Sequence, residues 1–482
     1  MSVTAGPETG AAGAGVDVGG GRFAVGGTAV KVGGTGDSDF VGKGFEGKSG
    51  AGVASESWLL PHATIGSKSE AMTSIRKKGT ERCLIILMRI VSYLNCRANC
   101  LAQFYDPGIM LPMDAQISSS VEPTVVDKLR AQLSGILSIA LIDVPQPPDQ
   151  AIRFRGYLQQ EPDKAFAELS RRFESLDYTP TLSRDEKNAG QDVVVAVRGV
   201  ARPRPSRAIV NVVLFVVTVF TTLLAGSFYE GGGLISGIPF AFTLLLILGT
   251  HEFGHYFVAR HHDATVTLPY FIPFPAIPGM LSLGTMGAVI QLRSPIRNRK
   301  QLFDIGVAGP LAGLVVAIPF LIIGLSQSVV QPSPNSGIYL QEGNSLLYLG
   351  LKYLVHGRVL PANGIDVSIN SMAYAAWIGL FVTCLNLLPM GQLDGGHVSY
   401  ALFGRRAWLI AKISVVALLG LGFLGWQGWF LWVILPLIFG LKHPPPLNDR
   451  TPLDTRRKVL GIVMIAIFIL VFIPVPFRII SA

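Results

Sequence analysis

The stretch "ILGTHEFGHYFVAR", Ile247 to Arg260, sets His251, Glu252 and His255 near the end of an otherwise apolar run. Histidines at i and i+4 share one helical face, and Glu252, three residues before His255, borders it. In an HExxH arrangement the imidazoles are ligands for Zn²⁺, and the glutamate is a base for water that the metal acidifies to a pKa of about 7. That chemistry is hydrolysis. Ionisable groups at membrane depth cost about 2.5 kcal/mol or more each unless paired or metal-bound, so three together point to function rather than packing. Gly254 weakens the helix by about 1 kcal/mol relative to Ala, which fits close approach of another backbone.

Catalytic zinc takes three protein ligands and leaves the fourth position to water. The third is offered by "NLLPMGQLDGGHV", Asn386 to Val398. Helical rise places His251 roughly 13 Å and His255 roughly 7 Å from Arg260, and Asp394 precedes Arg405 by a similar distance. Matched depth favours Asp394. His397, three residues nearer the rim, is the alternative, since imidazole also binds zinc. Pro389 and Gly391 break the helix, while Gly395 and Gly396 permit open backbone beside a metal. Asn386 and Gln392 are candidate polar partners of substrate or transition state.

Between these motifs, "TVTLPYFIPFP" and "GAVIQL" read as short extended pieces. An exposed strand edge there could hold a substrate helix that has unwound into extended form. Gly284 and Gly287 are candidates for close backbone approach, with ordinary turn use the alternative. Gly309 and Gly313 form a GxxxG pair suited to helix packing, including packing against the metal helix.

The elements that must position these residues are membrane helices. Of 482 residues, 50% are apolar and only 15% charged, the balance of a polytopic membrane protein. Its net charge of +9 is interleaved with apolar spans, so membrane topology explains the charge and nucleic acid is not implied. Cys83, Cys96, Cys100 and Cys384 form no CxxC pair and no disulfide framework. About seven spans are expected, near 208–227, 234–258, 303–326, 371–388, 407–425, 427–441 and 459–476. Basic residues at 202–207, 293–300, 405–406 and 442–458 then fall on one side, the cytoplasmic side by the positive-inside rule, whereas the opposite loops carry little beyond Lys352 and Arg358. Trp426, Trp429 and Trp432 read as an interfacial belt, His261 and His262 as interfacial residues, and Lys412 as a snorkelling side chain.

Upstream, residues 1–112 are Gly-rich and too poor in apolar residues to build a core, so disorder is expected, with 83–94 as an interfacial helix and Met110 or Met113 as the native start. Residues 121–200 read as a small cytosolic α/β domain of βαβ type: helix "TVVDKLRAQLSGIL", strand "AIRFRGYL", helix "EPDKAFAELSRRFESL", strand "DVVVAVRG". A basic, proline-containing linker leads into the membrane domain at 208–476.

HEFGH in one span and LDGG in a later one resemble the site-2 protease family of intramembrane zinc metalloproteases. "LPYFIPFP", "LGTMGAVIQLRSPIRNRKQLFDIGVAGPLAGL" and "NLLPMGQLDGGH" are most similar to its plastid and cyanobacterial branch of ethylene-dependent gravitropism-deficient and yellow-green proteins. The likeness covers roughly residues 121–476. It implies His251, His255 and Asp394 as zinc ligands, Glu252 as catalytic glutamate, and transmembrane segments of membrane-anchored proteins as substrates within the lipid bilayer. The Gly-rich extension lies outside the pattern, and no PDZ-like module is visible. A bacterial plasma membrane is the expected location and a thylakoid or plastid membrane the alternative, since the family occurs in both. Two other functions fit polar groups within spans. A metal transporter needs ligands on both sides of the midplane, whereas these cluster toward one face, and an inactive scaffold needs no complete ligand set.

Overall fold

A computed structural model describes residues 123–144, 151–186, 188, 190–200, 207–277, 282–334 and 338–481, together with the backbone of two short strands, β1 (Arg22–Val25) and β2 (Thr28–Lys31). The remainder of 1–112, including the 83–94 helix and the start at Met110 or Met113, lies outside the described residues.

The small domain runs α1 (Pro123–Gln132), β3 (Leu137–Asp143), β4 (Ala151–Leu158), α2 (Pro162–Glu174), β5 (Tyr178–Arg184) and β6 (Asp192–Arg198). Its sheet has the order β3-β4-β6-β5, with every neighbouring pair antiparallel. Ile152 and Phe154 alternate inward on β4, and Ala165, Phe166, Leu169 and Phe173 form the buried stripe of α2 that packs on them. The expected βαβ reading is corrected in detail. β4 and β5 are parallel but separated by β6, so the unit is split. Two strands went unread. "LSIALID" was merged into the first helix, which instead stops at Gln132 and turns at Gly135, φ +72°. "YTPTLSR" carries Pro180, which β5 tolerates because it is an edge strand.

Among the described residues, four helical stretches are long and apolar enough to cross a membrane: α3 (Ala208–Glu230), α4 (Ile238–His261, entered through a 3₁₀ turn at Leu234), α5 (Arg299–Ser326), and Asp394–Leu424. Val212, Val216 and Phe220 of α3 are exposed, an outer face suited to lipid. The expected spans near 371–388 and 427–441 are represented by helices of 16 and 11 residues, and the last span by one of 17. At about 1.5 Å per residue the 11-residue helix covers roughly 17 Å, short of a 30 Å hydrocarbon core.

The 16-residue helix, with α6 (Leu346–His356) preceding it, is α7 (Ser371–Asn386); Asp394–Leu424 comprises α8 (Asp394–Phe403), a 3₁₀ turn and α9 (Ala407–Leu424); α10 (Trp429–Phe439) and α11 (Thr455–Val471) follow. α7 is enclosed by the others, with Ala373–Phe381 and Thr383–Leu385 buried. Its end at Asn386 therefore releases an irregular turn inside the protein, the setting in which open backbone is tolerated at membrane depth. Trp429, expected at an interface, is instead fully buried, its Nε1 donating to Pro474 O at 2.8 Å.

Basic residues of three loops meet acids of the small domain: Lys300 with Asp163, Arg405 with Glu186 and Arg450 with Asp192. These loops share one face, as the charge pattern required. At the other end of α5 stand the pair β9 (Val329–Pro332) and β11 (Ile365–Ser368), and the sheet of β10 (Ile338–Glu342) with β12 (Phe477–Ser481). β1 joins β10 in parallel and pairs with β2. Lys352, expected in an exposed loop, is fully buried there between Glu342 and Asp366, at 3.4 and 3.2 Å.

Candidate active site

α4 presents His251 and His255 on its buried face, with their Nε2 atoms 3.2 Å apart. Asp394, the first residue of α8, places Oδ2 3.2 Å from His251 Nε2 and Oδ1 3.3 Å from His255 Nε2. Ligands about 2.0 Å from a common centre at tetrahedral angles stand about 3.3 Å apart, so the donor triangle already has the dimensions of a zinc site. Among the described residues this is the one group of three such side chains able to hold a metal ion. His397 is not part of it; its Nδ1 lies 2.6 Å from His443 Nε2 instead.

Backbone and glycine build the frame. His255 Nδ1 donates to Ile305 O at 2.7 Å, and because a carbonyl only accepts, the proton sits on Nδ1 and the Nε2 lone pair faces the triangle. Asp394 stands at a helix N-terminus, where the dipole favours its charge. The turn before it is compact: a Cβ on Gly395 would lie 2.0 Å from Leu387 O, and one on Gly396 2.4 Å from Gly391 O. Only glycine fits at either position.

The GxxxG pair of α5 faces the metal helix. A Cβ on Gly309 would fall 2.1 Å from His255 Nε2, and one on Gly313 3.4 Å from His251 Nδ1. Gly306 continues the stripe beneath His397, where an added Cβ would lie 2.8 Å from the histidine's Cβ. Gly254 brings α4 equally near, a Cβ there lying 2.7 Å from Ala308 O.

Glu252 is buried beside the triangle, with the backbone of Ile290 close to its carboxylate. Ile290 follows β8 (Thr285–Val289), which pairs with β7 (Tyr270–Pro273) in a two-stranded sheet. Both extended pieces expected from the sequence are thus present. Asn386 Nδ2 lies 3.2 Å from His251 Nε2, whereas Gln392 is exposed on the turn before Asp394. Gly284, φ +72°, packs against the backbone of α3, where Thr221 Oγ1 donates to its carbonyl at 2.6 Å; a Cβ there would lie 2.3 Å from Thr221 O. Gly287, φ +104°, has open space around its Cα. His262, expected as a plain interfacial residue, bonds Asp304 at 2.8 Å, and Arg457 grips the same carboxylate.

Sequence reading missed the parts that act through backbone. Nothing in the letters marks Ile305 O or the Ile290 backbone, but Gly306, Gly309 and Gly313, at i, i+3 and i+7, share one helical face and were legible as a stripe.

Hydrolytic metal chemistry housed in bilayer-length helices belongs to membrane-embedded metalloproteases, and fold and site assign the protein to that class. The sequence pattern of Peptidase family M50 matches residues 239–424. The chain is 27% identical over 393 residues to the "Probable zinc metalloprotease EGY2, chloroplastic" of Oryza sativa subsp. indica, covering 77% of this chain and 69% of that relative. Its counterpart in Arabidopsis thaliana is 28% identical over 388 residues, 76% of this chain and 67% of the relative. The "Probable zinc metalloprotease EGY1, chloroplastic" of Arabidopsis thaliana is 32% identical over 245 residues, 50% of this chain and 43% of its own length. The branch read from the motifs is upheld. No solved structure matches the chain.

Proposed function

We propose that the protein is an intramembrane endopeptidase that cleaves transmembrane segments of membrane-anchored proteins, close to the face carrying the small domain. The observation that carries this reading is the His251–His255–Asp394 triangle, with edges of 3.2–3.3 Å, set in two bilayer-grade helices. Those three residues would hold Zn²⁺, which would supply Lewis acidity toward a carbonyl and lower the pKa of bound water to about 7. Glu252 takes the proton from the attacking water and returns it to the leaving amine. The backbone of Ile290 flanks the Glu252 carboxylate. Asn386 stands where its amide meets charge developing on the substrate oxygen. Gln392, Gly284 and Gly287 line the approach rather than the triangle.

A peptide bond inside a helix is hydrogen-bonded and shielded, so the substrate must unwind before attack. The free edge of β8, just before Ile290 beside Glu252, receives the extended segment by strand addition. Seven crossings, with the shorter helices Ser371–Asn386, Trp429–Phe439 and Thr455–Val471 counted among them, are the reading that keeps the basic loops on one side. The chloroplastic relatives favour a plastid membrane, and the expectation of a bacterial plasma membrane finds no support among them. A transporter is disfavoured because one donor cluster, among the described residues, offers no second station along a path.

Glu252→Gln in the reconstituted full chain should abolish cleavage of a single-span substrate while zinc stays bound. Retained cleavage would refute the role of Glu252, and loss of zinc together with cleavage would move it from base to ligand.

A further inference from the structure

Between α10 and α11 the chain runs through "GLKHPPPLNDRT", Gly440–Thr451, with no helix or strand of its own. One end grips the turn and helix that carry Asp394. Gly391 N donates to Leu441 O at 3.0 Å, and the buried His443 meets His397 Nδ1 through its Nε2 at 2.6 Å. Trp408 Nε1 holds the carbonyl of His443 at 3.0 Å, and the His443 ring lies on Tyr400 of α8, centroids 5.1 Å apart.

The other end is built into the small domain. Leu182 N donates to Leu447 O at 2.7 Å and Asp449 N to Leu182 O at 2.9 Å, so the segment extends the free edge of β5. Asn448 Nδ2 donates to Pro162 O at 3.1 Å, Thr451 bonds Asp163, and Arg450 pairs with Asp192. Midway, Leu447 N and Asn448 N donate to Ile296 O and Arg297 O at 2.9 and 2.7 Å, just ahead of α5, and Asp449 accepts from both Arg299 and Tyr400.

We propose that Gly440–Thr451 is a strap through which the small α/β domain holds Asp394 at the metal site, with His443 as a positioning residue. The proposal rests on Asp394 being a zinc ligand. Neither His443 nor Arg450 contributes an atom to the triangle. Their effect passes through the placement of α8, as partners outside the ligand set do when they orient a ligand. The domain that showed no catalytic spacing thereby acquires a role in the chemistry.

The test uses the purified full chain in detergent. Zinc affinity is measured by competition with a chromogenic chelator, and amide hydrogen exchange at residues 390–397 is measured in the zinc-free protein. His443→Ala should weaken zinc binding about tenfold and speed exchange in that segment, with His443→Gln, which keeps a hydrogen-bonding side chain, recovering much of the loss. Arg450→Asp, at the far end of the strap, should weaken binding roughly threefold or more, and adding Asp192→Arg to the same chain should restore it. Recovery by the paired exchange separates coupling from general misfolding. Asp394→Ala serves as the reference. If it keeps full zinc affinity, the ligand assignment fails; if it loses zinc while either strap variant retains wild-type affinity and exchange, the strap proposal fails and the ligand assignment stands.

Discussion

His255 donates its Nδ1 proton to the carbonyl of Ile305 at 2.7 Å, and this one bond decides which ring nitrogen faces Asp394. A backbone acceptor cannot rotate away or be substituted out, so tautomer and ring plane are fixed by the course of α5 rather than by another side chain. Packing between α4 and α5 is therefore part of the metal chemistry, and substitutions that touch no ligand should register in it.

Gly309→Ala is the sharpest case. A methyl group there would lie 2.1 Å from His255 Nε2, whereas at Gly313 it would lie 3.4 Å from His251 Nδ1. Gly309→Ala should lose zinc affinity by tenfold or more, and Gly313→Ala should remain within about threefold of wild type. Zinc content after dialysis against a graded chelator series reads both, and equal behaviour of the pair would contradict the geometry.

Asn386→Leu should leave zinc bound and lower kcat by about a hundredfold, the scale of a lost donor to developing negative charge. The amide sits 3.2 Å from His251 Nε2, at the rim of the triangle. Unchanged kcat with a raised KM would assign Asn386 to ground-state binding instead.

Zinc should stabilise the membrane domain by mass action, by about 4 kcal/mol at a free concentration a thousandfold above Kd. Thermal unfolding in detergent should show the same rise in Tm for Glu252→Gln as for wild type and none for Asp394→Ala. A full rise in Asp394→Ala would remove that residue from the ligand set.

The far end of the molecule carries its own titration. Glu342 is held above the ordinary carboxylate range, by burial first; Lys352 pulls it down and Asp366 pushes it further up. One ammonium serves two carboxylates. A carboxyl whose folded pKa exceeds its unfolded value, about 4.3, stabilises the fold fully below that value and loses the contribution as pH rises through the folded pKa. Tm should accordingly decline as pH rises above about 4.3, and decline less in Glu342→Gln. Lys352→Met leaves two buried carboxylates without their cation and should cost about 3–5 kcal/mol at neutral pH. A flat pH profile in wild type would show that Glu342 does not titrate as described.

The metal half of the molecule was legible because its chemistry is written in side chains. Histidine, glutamate and aspartate are costly at membrane depth, and spacing alone matched Asp394 to His251 and His255. The glycines of "LDGG" were read as giving open backbone, yet Gly395 and Gly396 are compelled by carbonyls within 2.4 Å of where a Cβ would stand. β3 and β5 escaped notice for separate reasons. The first follows a helix after a turn of only four residues, and the second carries a proline that only an edge position excuses. Gly440–Thr451 read as a basic loop because its partners, among them Leu182, Ile296 and His397, lie far away in the sequence, which composition does not encode. Lys352 looked like a stray surface charge for the same reason, since Glu342 and Asp366 lie ten and fourteen residues away.

Gly306, Gly309 and Gly313 have one last implication. Each imidazole beside the metal triangle, or next to it, rests on a surface of α5 that ends at hydrogen. The clearance between the two helices is thus gauged by the smallest atom available, with nothing left to trim. Sequence drift on this face can only add bulk, so the active centre tolerates no gradual exploration there: any departure is a wedge, and its first casualty is the bearing of a histidine.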